Sequence, residues 1–327
     1  MLESFKNRVR SKPKRIVFAE GDDPRVIQAV VRMRADKLLG EAVLLGPGEA
    51  ITRSLFEHGK PDGVTVVDTG AISGTAKYRN EYIKARNLSV LENEILSAAM
   101  KNPVVLGALM LRMGEADGFI GGVRTNTSEI LSNGLHIIKA HRSAGVVTSL
   151  CVISAPDKSL GSDGILVIAD PVVNPDPSVG VLVKIAEAAA RFARSFLKIT
   201  PRVAFLSYST KGSGMGKSVD KMRIAADRAR ARMPEIVVDG ELQLDAAISP
   251  EVAARKAPGS PLAGSANVLI FPNLDSANLA CKILSFFGNA VIIGPIIYGL
   301  SKPYNDISRA ARVEDIINLS VITQLQE

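Results

Sequence analysis

Short apolar runs alternate with amphipathic, helix-length stretches along almost the whole chain, and this alternation constrains the fold more than any other feature. Such a pattern predicts parallel sheets covered by helices on both faces. In the first half, strands are expected from Arg15 to Ala19, Glu41 to Leu45, Val64 to Val67 and Gly118 to Gly121. Asp22-Asp23-Pro24 places a cap and a first-turn proline before a helix running to Leu39, and Asn102-Pro103 opens another. Ser89 and Glu92 have the spacing of a capping box. The second half repeats the alternation, with strands from Val146 to Ile153, Ile165 to Ala169, Val203 to Ser207, Ile236 to Val238, Val268 to Phe271 and Ala290 to Ile293. Between them Ser178 to Lys198 reads as one long helix, with Leu182, Ile185, Ala189, Phe192 and Phe196 down one side. The Pro/Asp-rich stretch Asp170 to Pro177 reads as a loop. A chain of 327 residues, 46% of them hydrophobic, can bury a sizeable core and at this length divides into two domains. The joins are placed near Ser143 to Thr148 and Gly294 to Tyr298, giving a first domain of residues 1–146 plus 297–327 and a second of 147–296.

The run from Lys302 to Ile316 is the richest in chemistry. It holds an amide, a hydroxyl, guanidiniums and carboxylates, and if it is helical, Asn305, Ser308, Arg309, Arg312 and Asp315 follow the i, i+3, i+4, i+7 pattern. Ser308 and Asp315 would then face the same way two turns apart. A cationic fork beside a hydroxyl donor and a potential base is what transfer of a group to or from a phosphate needs. A solvated helix face would carry the same residue types.

Several other classes are disfavoured. Cys151 and Cys281 sit in apolar surroundings and read as small core residues, with no disulfide framework or paired metal-ligand spacing. His58, His136 and His141 include no i, i+4 pair, so no helical zinc site is expected. No serine lies in a G-x-S-x-G setting. The net charge of +7 suits an anionic partner, but Trp is absent and no basic stripe is interleaved with stacking residues, which argues for a small polyanion over nucleic acid. No apolar run reaches the ~18 residues a membrane crossing needs, and the start has no signal-peptide pattern, so a cytoplasmic location is expected. Gly212-Ser213-Gly214-Met215-Gly216-Lys217-Ser218 imitates a phosphate-binding loop, yet position 211 is Lys where the motif needs Gly. The glycines are also spaced G-x-G-x-G, which is not the dinucleotide fingerprint. An anion cradled by this turn remains a reading beside that of a surface loop.

Five segments in order carry a resemblance: Ser207-Tyr208-Ser209-Thr210-Lys211-Gly212-Ser213, Val238 to Ala247, Lys256 to Gly264, Gly294 to Leu300, and the C-terminal run around Asn305-Asp306-Ile307-Ser308-Arg309. Together they resemble the signature segments of the phosphate acetyltransferases, in the phosphate acetyl/butyryl transferase family, and the likeness extends from Arg15 to Thr323. The resemblance implies two α/β/α domains with mostly parallel sheets and an interdomain cleft, isocitrate/isopropylmalate dehydrogenase-like. It implies reversible transfer of an acetyl group between coenzyme A and phosphate by direct thiolate attack in a ternary complex. Asp315 matches the family's catalytic aspartate, Ser308 its catalytic serine and Arg309 the arginine that holds phosphoryl and carbonyl oxygens. Coenzyme A and acetyl-CoA enter as substrates, with no permanently bound cofactor and no metal. A homodimer working in acetate metabolism is expected, with small-molecule partners and neither nucleic acid nor membrane.

Asn305, Thr125, Asn126, Ser128, Ser209, Thr210 and Lys211 are candidates for substrate binding on the cleft wall, and each reads equally as a cap or turn residue. The chain departs from the family pattern after Gly121-Gly122: Arg124 stands where members carry a histidine, and Leu131 where they carry an arginine. A second family arginine falls near Ile83. Both missing arginines belong to substrate binding in the family, and Arg124, Lys84 or Arg86 are the residues placed to compensate. Two alternatives stay open: a non-catalytic acetyl-CoA-binding regulatory protein, and an acyltransferase preferring propionyl or butyryl groups.

Overall fold

The structure, a computed structural model, describes residues 2–59, 61–72, 75–88 and 93–326. The capping box expected at Ser89 to Glu92 lies outside these residues. Eleven strands occur among the described residues: β1 (Arg15–Phe18), β2 (Glu41–Gly46), β3 (Val64–Asp68), β4 (Gly118–Gly121), β5 (Thr148–Ser154), β6 (Ile165–Ala169), β7 (Arg202–Leu206), β8 (Val237–Leu242), β9 (Val268–Ile270), β10 (Val291–Tyr298) and β11 (Tyr304–Asp306). The chain divides into two compact units, Met1–Arg142 with Leu300–Glu327, and Ser143–Gly299.

The first unit is built on a five-stranded sheet of order β11-β4-β1-β2-β3, and every neighbouring pair in it is parallel. Ile16, Val17 and Phe18 on β1 are buried, as a central parallel strand covered on both faces requires. The helix Pro24–Ala35 starts where the sequence places it: the Asp23 carboxylate accepts the Arg25 N–H at 2.9 Å, and Pro24 occupies the first turn, where its missing donor costs nothing. It stops at Ala35, four residues short of Leu39, because Lys37 takes a left-handed conformation and sends Leu38 and Leu39 into the core. Asn102 caps the helix Pro103–Arg112 through bonds from Val104 and Val105 N–H at 2.8 and 3.3 Å. That helix lies close on the sheet at Gly107, where a Cβ would come within 2.7 Å of the Phe119 ring.

The C-terminal run differs from the helical expectation. Residues Tyr304–Asp306 form β11, paired in parallel with Phe119–Gly121, residues 307 to 312 make a turn, and a helix begins only at Val313. Ladder bonds to β4 and the burial of Tyr304, whose ring stacks on Phe119 at 4.1 Å, favour the strand over the helical spacing. Every second side chain of a strand points the same way, so Asn305 turns its amide toward the C-terminal helix Val313–Leu325. There Nδ2 donates to Thr323 Oγ1 at 2.8 Å and Gln326 Oε1 at 2.6 Å.

The second unit holds a six-stranded sheet of order β10-β5-β6-β9-β7-β8. β5 runs antiparallel to both β10 and β6, while β6, β9, β7 and β8 are mutually parallel in that order. The long helix expected from Ser178 to Lys198 is helical over Val179–Phe192 and then widens into a π turn, Ala193–Leu197. Phe192 and Phe196 stack at 4.7 Å across that junction, and Tyr298 meets Phe192 edge-on. Cys151 and Cys281 are buried together in the core between β5 and the helix Leu274–Phe287.

Replacing Asn305 by Ala removes two buried hydrogen bonds between β11 and the C-terminal helix, and is expected to cost about 1–3 kcal/mol. Thermal unfolding measures it; a variant with the parent midpoint contradicts the assigned role.

Candidate active site

Parallel strands β1, β4 and β11 lie side by side and therefore end at the same edge of the sheet, where α/β proteins gather their ligands. Three loops meet there: residues 19 to 23 after β1, 122 to 126 after β4, and 307 to 312 after β11. Their approach is close. Gly122 has φ of +112°, and a Cβ there would lie 2.2 Å from Asp306 Oδ1, so no other residue fits.

A buried carboxylate orders the second loop. Glu20, 4% exposed, accepts the N–H groups of Gly122, Val123, Arg124 and Thr125 at 2.8, 3.0, 3.0 and 2.7 Å. Four consecutive amides turned toward one anion make a nest, and the chain fills it with its own side chain. The loop then passes into the helix Thr127–Asn133, whose cap is Asn126.

Arg25 joins the three loops. Its Nε and Nη2 grip the two Asp23 carboxylate oxygens, each at 3.0 Å. Nη2 also donates to Val123 O at 2.9 Å, and Nη1 donates to Arg309 O at 2.7 Å and Ala311 O at 3.0 Å. The turn it holds carries Ser308 and Arg309 and is closed by the Ala311 N–H on Ser308 O at 2.9 Å.

The sequence-predicted residues fall into two groups. Ser308, Arg309 and Asp315 come from one continuous segment at this edge. Ser308 is half-buried, and its Oγ accepts the Ala310 N–H at 3.3 Å. Arg309 is exposed, and its guanidinium forms no ion pair with any described residue. Asp315 sits in the first turn of the C-terminal helix, where Oδ2 accepts the Arg312 N–H at 2.9 Å and Arg312 Nε at 3.3 Å. A helix N-terminus favours an anion at that position. Ser308 and Asp315 thus share a turn and a helix start, not one helical face, because β11 takes the residues that would have begun the helix.

Thr125 lends its N–H to Glu20. Asn126 Oδ1 is engaged in capping, accepting the Glu129 N–H at 2.9 Å and Ser128 Oγ at 2.7 Å. Arg124 makes a two-pronged ion pair with Asp22, so that the guanidinium holds the Asp22 carboxyl below its ordinary range and the carboxylate in turn raises Arg124 above its own. Asn305 is a correction: it is buried and committed to the C-terminal helix, so it does not stand on a binding surface.

Ser209, Thr210 and Lys211 form a separate cluster in the second unit, after β7. Ser209 Oγ donates to buried Glu241 at 3.0 Å, Thr210 Oγ1 bonds Gln243, and Lys211 Nζ reaches buried Asp239 at 2.5 Å. The glycine-rich turn likewise spends its amides internally: Gly212 N–H on Glu241 at 2.7 Å and Gly214 N–H on Ser209 Oγ at 2.9 Å. Those bonds occupy the first amides of the turn, while the helix Lys217–Arg232 that follows it starts at Gly216 with no side-chain cap. A cavity of about 280 Å³ in the first unit is lined by Glu81, Arg112, Ile138, Ser301 and Lys302 and contains none of the predicted residues. Spacing alone missed Glu20, Asp22 and Arg25; the Glu20-Gly21 pair just after the first strand was the one visible signal.

Comparison with known proteins identifies the family. The chain matches the family described as phosphate acetyl/butaryl transferase over residues 1–324. It is 36% identical over 330 residues to a phosphate acetyltransferase of Thermoanaerobacterium thermosaccharolyticum, covering 100% of this chain and 99% of the relative. It is 37% identical over 331 residues to one of Clostridium acetobutylicum, covering 100% and 98%. Among solved structures it resembles a phosphotransacetylase from Streptococcus pyogenes at a TM-score of 0.88 and 35% identity, covering 99% of this chain and 96% of that one. A phosphotransacetylase from Staphylococcus aureus gives 0.83 and 30%, covering 99% and 97%. Matched over residues 1–324 and at 36–37% identity along its full length to the first two relatives, the chain belongs to the phosphate acetyl/butaryl transferase family.

Proposed function

We propose that the chain is a phosphate acetyltransferase that moves an acetyl group reversibly between coenzyme A and phosphate, by direct attack of the coenzyme A thiolate on acetyl phosphate. The observation that carries this reading is the gathering of Ser308, Arg309 and Asp315 on one turn and helix start, held at the carboxyl edge of β1, β4 and β11. A thiol of pKa about 8.5 costs roughly 2 kcal/mol to ionise at pH 7. Asp315 takes that proton. The sulfur forms a bond to the acetyl carbon, the carbon–oxygen bond to phosphate breaks, and inorganic phosphate leaves with the electron pair. Ser308 donates a hydrogen bond to the carbonyl oxygen as it gains charge, and Arg309, whose fork matches two phosphoryl oxygens, balances the charge on the leaving group. Phosphate is a good leaving group, so no strong general acid is needed. Cytoplasmic acetate metabolism is the setting this reading implies. Among the described residues no single helix is long and apolar enough to cross a membrane.

An acyl group longer than acetyl is the second reading, favoured by the breadth of the family's own description. Acetyl, propionyl and butyryl phosphates assayed in parallel with coenzyme A separate the two by their kcat/KM values. A protein that binds acetyl-CoA in calorimetry but turns over none of the three is a regulator and not an enzyme.

The homodimer is proposed on an exposed apolar stripe. Leu279, Ile283, Phe286 and Phe287 lie one or two turns apart on the helix Leu274–Phe287, beside exposed Val291 on the edge strand β10. A self-complementary surface of this kind pairs about a two-fold axis.

Asp315→Asn keeps an acceptor for the Arg312 N–H but loses the base, and should lower kcat by about 10²–10⁴-fold while the lost charge at the helix start costs only about 0.3–1 kcal/mol of stability. Unaltered turnover in that variant rejects the mechanism. Ile283→Asp with Phe287→Glu should convert a dimer to a monomer in sedimentation; a monomeric parent protein, or a dimer that survives both changes, rejects the interface.

A further inference from the structure

We propose that Arg25 is the positioning residue of the reactive turn, with Glu20 as its support, so that the geometry of Ser308 and Arg309 is set from the first strand–helix junction of the chain. The proposal rests on the assignment of the active site to Ser308, Arg309 and Asp315.

An arginine side chain has five N–H donors in a rigid planar fork. Arg25 places one bond on each: Nε on Asp23 Oδ1, Nη2 on Asp23 Oδ2 and Val123 O, Nη1 on Arg309 O and Ala311 O. The two Asp23 contacts fix the plane of the guanidinium, and Asp23 is itself fixed as the cap of the helix that carries Arg25. The remaining contacts fall on three carbonyls from two other loops. Holding the carbonyls of Arg309 and Ala311 fixes the Arg309–Ala310 and Ala311–Arg312 peptide planes, and so the course of the turn from which Ser308 Oγ and the Arg309 side chain leave the backbone.

Glu20 completes the device. Val123 O is a dependable anchor only if its loop is rigid, and the four amide bonds to the Glu20 carboxylate supply that rigidity. The Asp23, Val123, Arg309 and Ala311 contacts of one side chain therefore lock together the ends of β1, β4 and β11. Arg25 offers nothing to substrate: with all five donors committed it acts through the backbone of the turn. A lysine cannot replace it, since a single ammonium has three donors at one point and cannot span carbonyls on separate loops.

The test uses the full-length protein. Arg25→Lys and Arg25→Gly are compared with Ser308→Ala in steady-state kinetics and thermal unfolding, with guanidinium chloride added at millimolar concentration as a probe. Misplacing a reacting group by about 1 Å costs on the order of 10²-fold, so Arg25→Lys should lose kcat by about that factor with KM values near those of the parent. Added guanidinium should restore part of the kcat of Arg25→Gly and none of that of Ser308→Ala. Three results overturn the proposal. Parent-like kcat in Arg25→Lys alongside an inactive Ser308→Ala removes the positioning role and leaves the site standing. A loss that tracks a fallen thermal midpoint and resists guanidinium assigns Arg25 to stability alone. Full activity in Ser308→Ala sinks the site assignment on which the proposal is built.

Discussion

The parallel pairing of Tyr304–Asp306 with Phe119–Gly121 is the constraint from which the placing of the proposed active site follows. Residues from the end of the chain enter the sheet beside β4, and the ladder bonds fix their register. Tyr304 on Phe119 anchors one face of the new strand, and Asn305 ties the other to the C-terminal helix. What comes next in sequence must then emerge at the carboxyl edge, next to the loops of β1 and β4. Ser308 and Arg309 occupy that edge because the strand ends two residues before, and Asp315 starts a helix because the turn has already reversed the chain. Shifting the register by one residue would exchange the buried and exposed sides of β11 and carry the hydroxyl away from its neighbours.

Buried acids do the same work in both units. Glu20, just past the end of β1, collects four backbone N–H groups from a glycine-containing loop, and Glu241, near the end of β8, accepts the Gly212 N–H and the Ser209 hydroxyl of another. Asp239 adds ion pairs from Lys211 and Arg230 and a bond from Ser260 at 2.6 Å. Loops of this length would otherwise carry amides with no partner once pressed against the protein, a cost of about 1–3 kcal/mol for each. An internal carboxylate answers several amides at once and leaves a rigid loop on a rigid sheet. The arginine forks of Arg25 and Arg124 extend this order outward, one to carbonyls and one to Asp22.

Alternation of apolar runs and amphipathic stretches made the parallel sheets legible, and the caps at Asp23 and Asn102 are local chemistry that spacing reads well. The proposed trio, Ser308, Arg309 and Asp315, could be named from residue type and order. Its geometry could not be read, because a three-residue strand carries no usable period and the decision between helix and strand at Tyr304 is made by Phe119, far away in sequence. Asn305 was misread for the same reason: which way a side chain points depends on the register of a partner strand. Arg25 lay beyond reach in another sense. Its bonds to Arg309 and Ala311 span 284 and 286 positions and end on carbonyls, which have no residue identity to recognise.

The split make-up of the first unit has a consequence for how the protein is made. Residues 143 to 299 are contiguous and can complete their own core during synthesis, whereas the outer edge of β4 stays unpaired until residues 304 to 306 leave the ribosome. For that interval the nascent chain presents an open strand edge, the kind of surface that invites pairing with a stranger, and only the closing addition of β11 both seals it and brings the reactive groups into being. A product that stops short of β11 thus lacks Ser308, Arg309 and Asp315 and carries a sticky edge together.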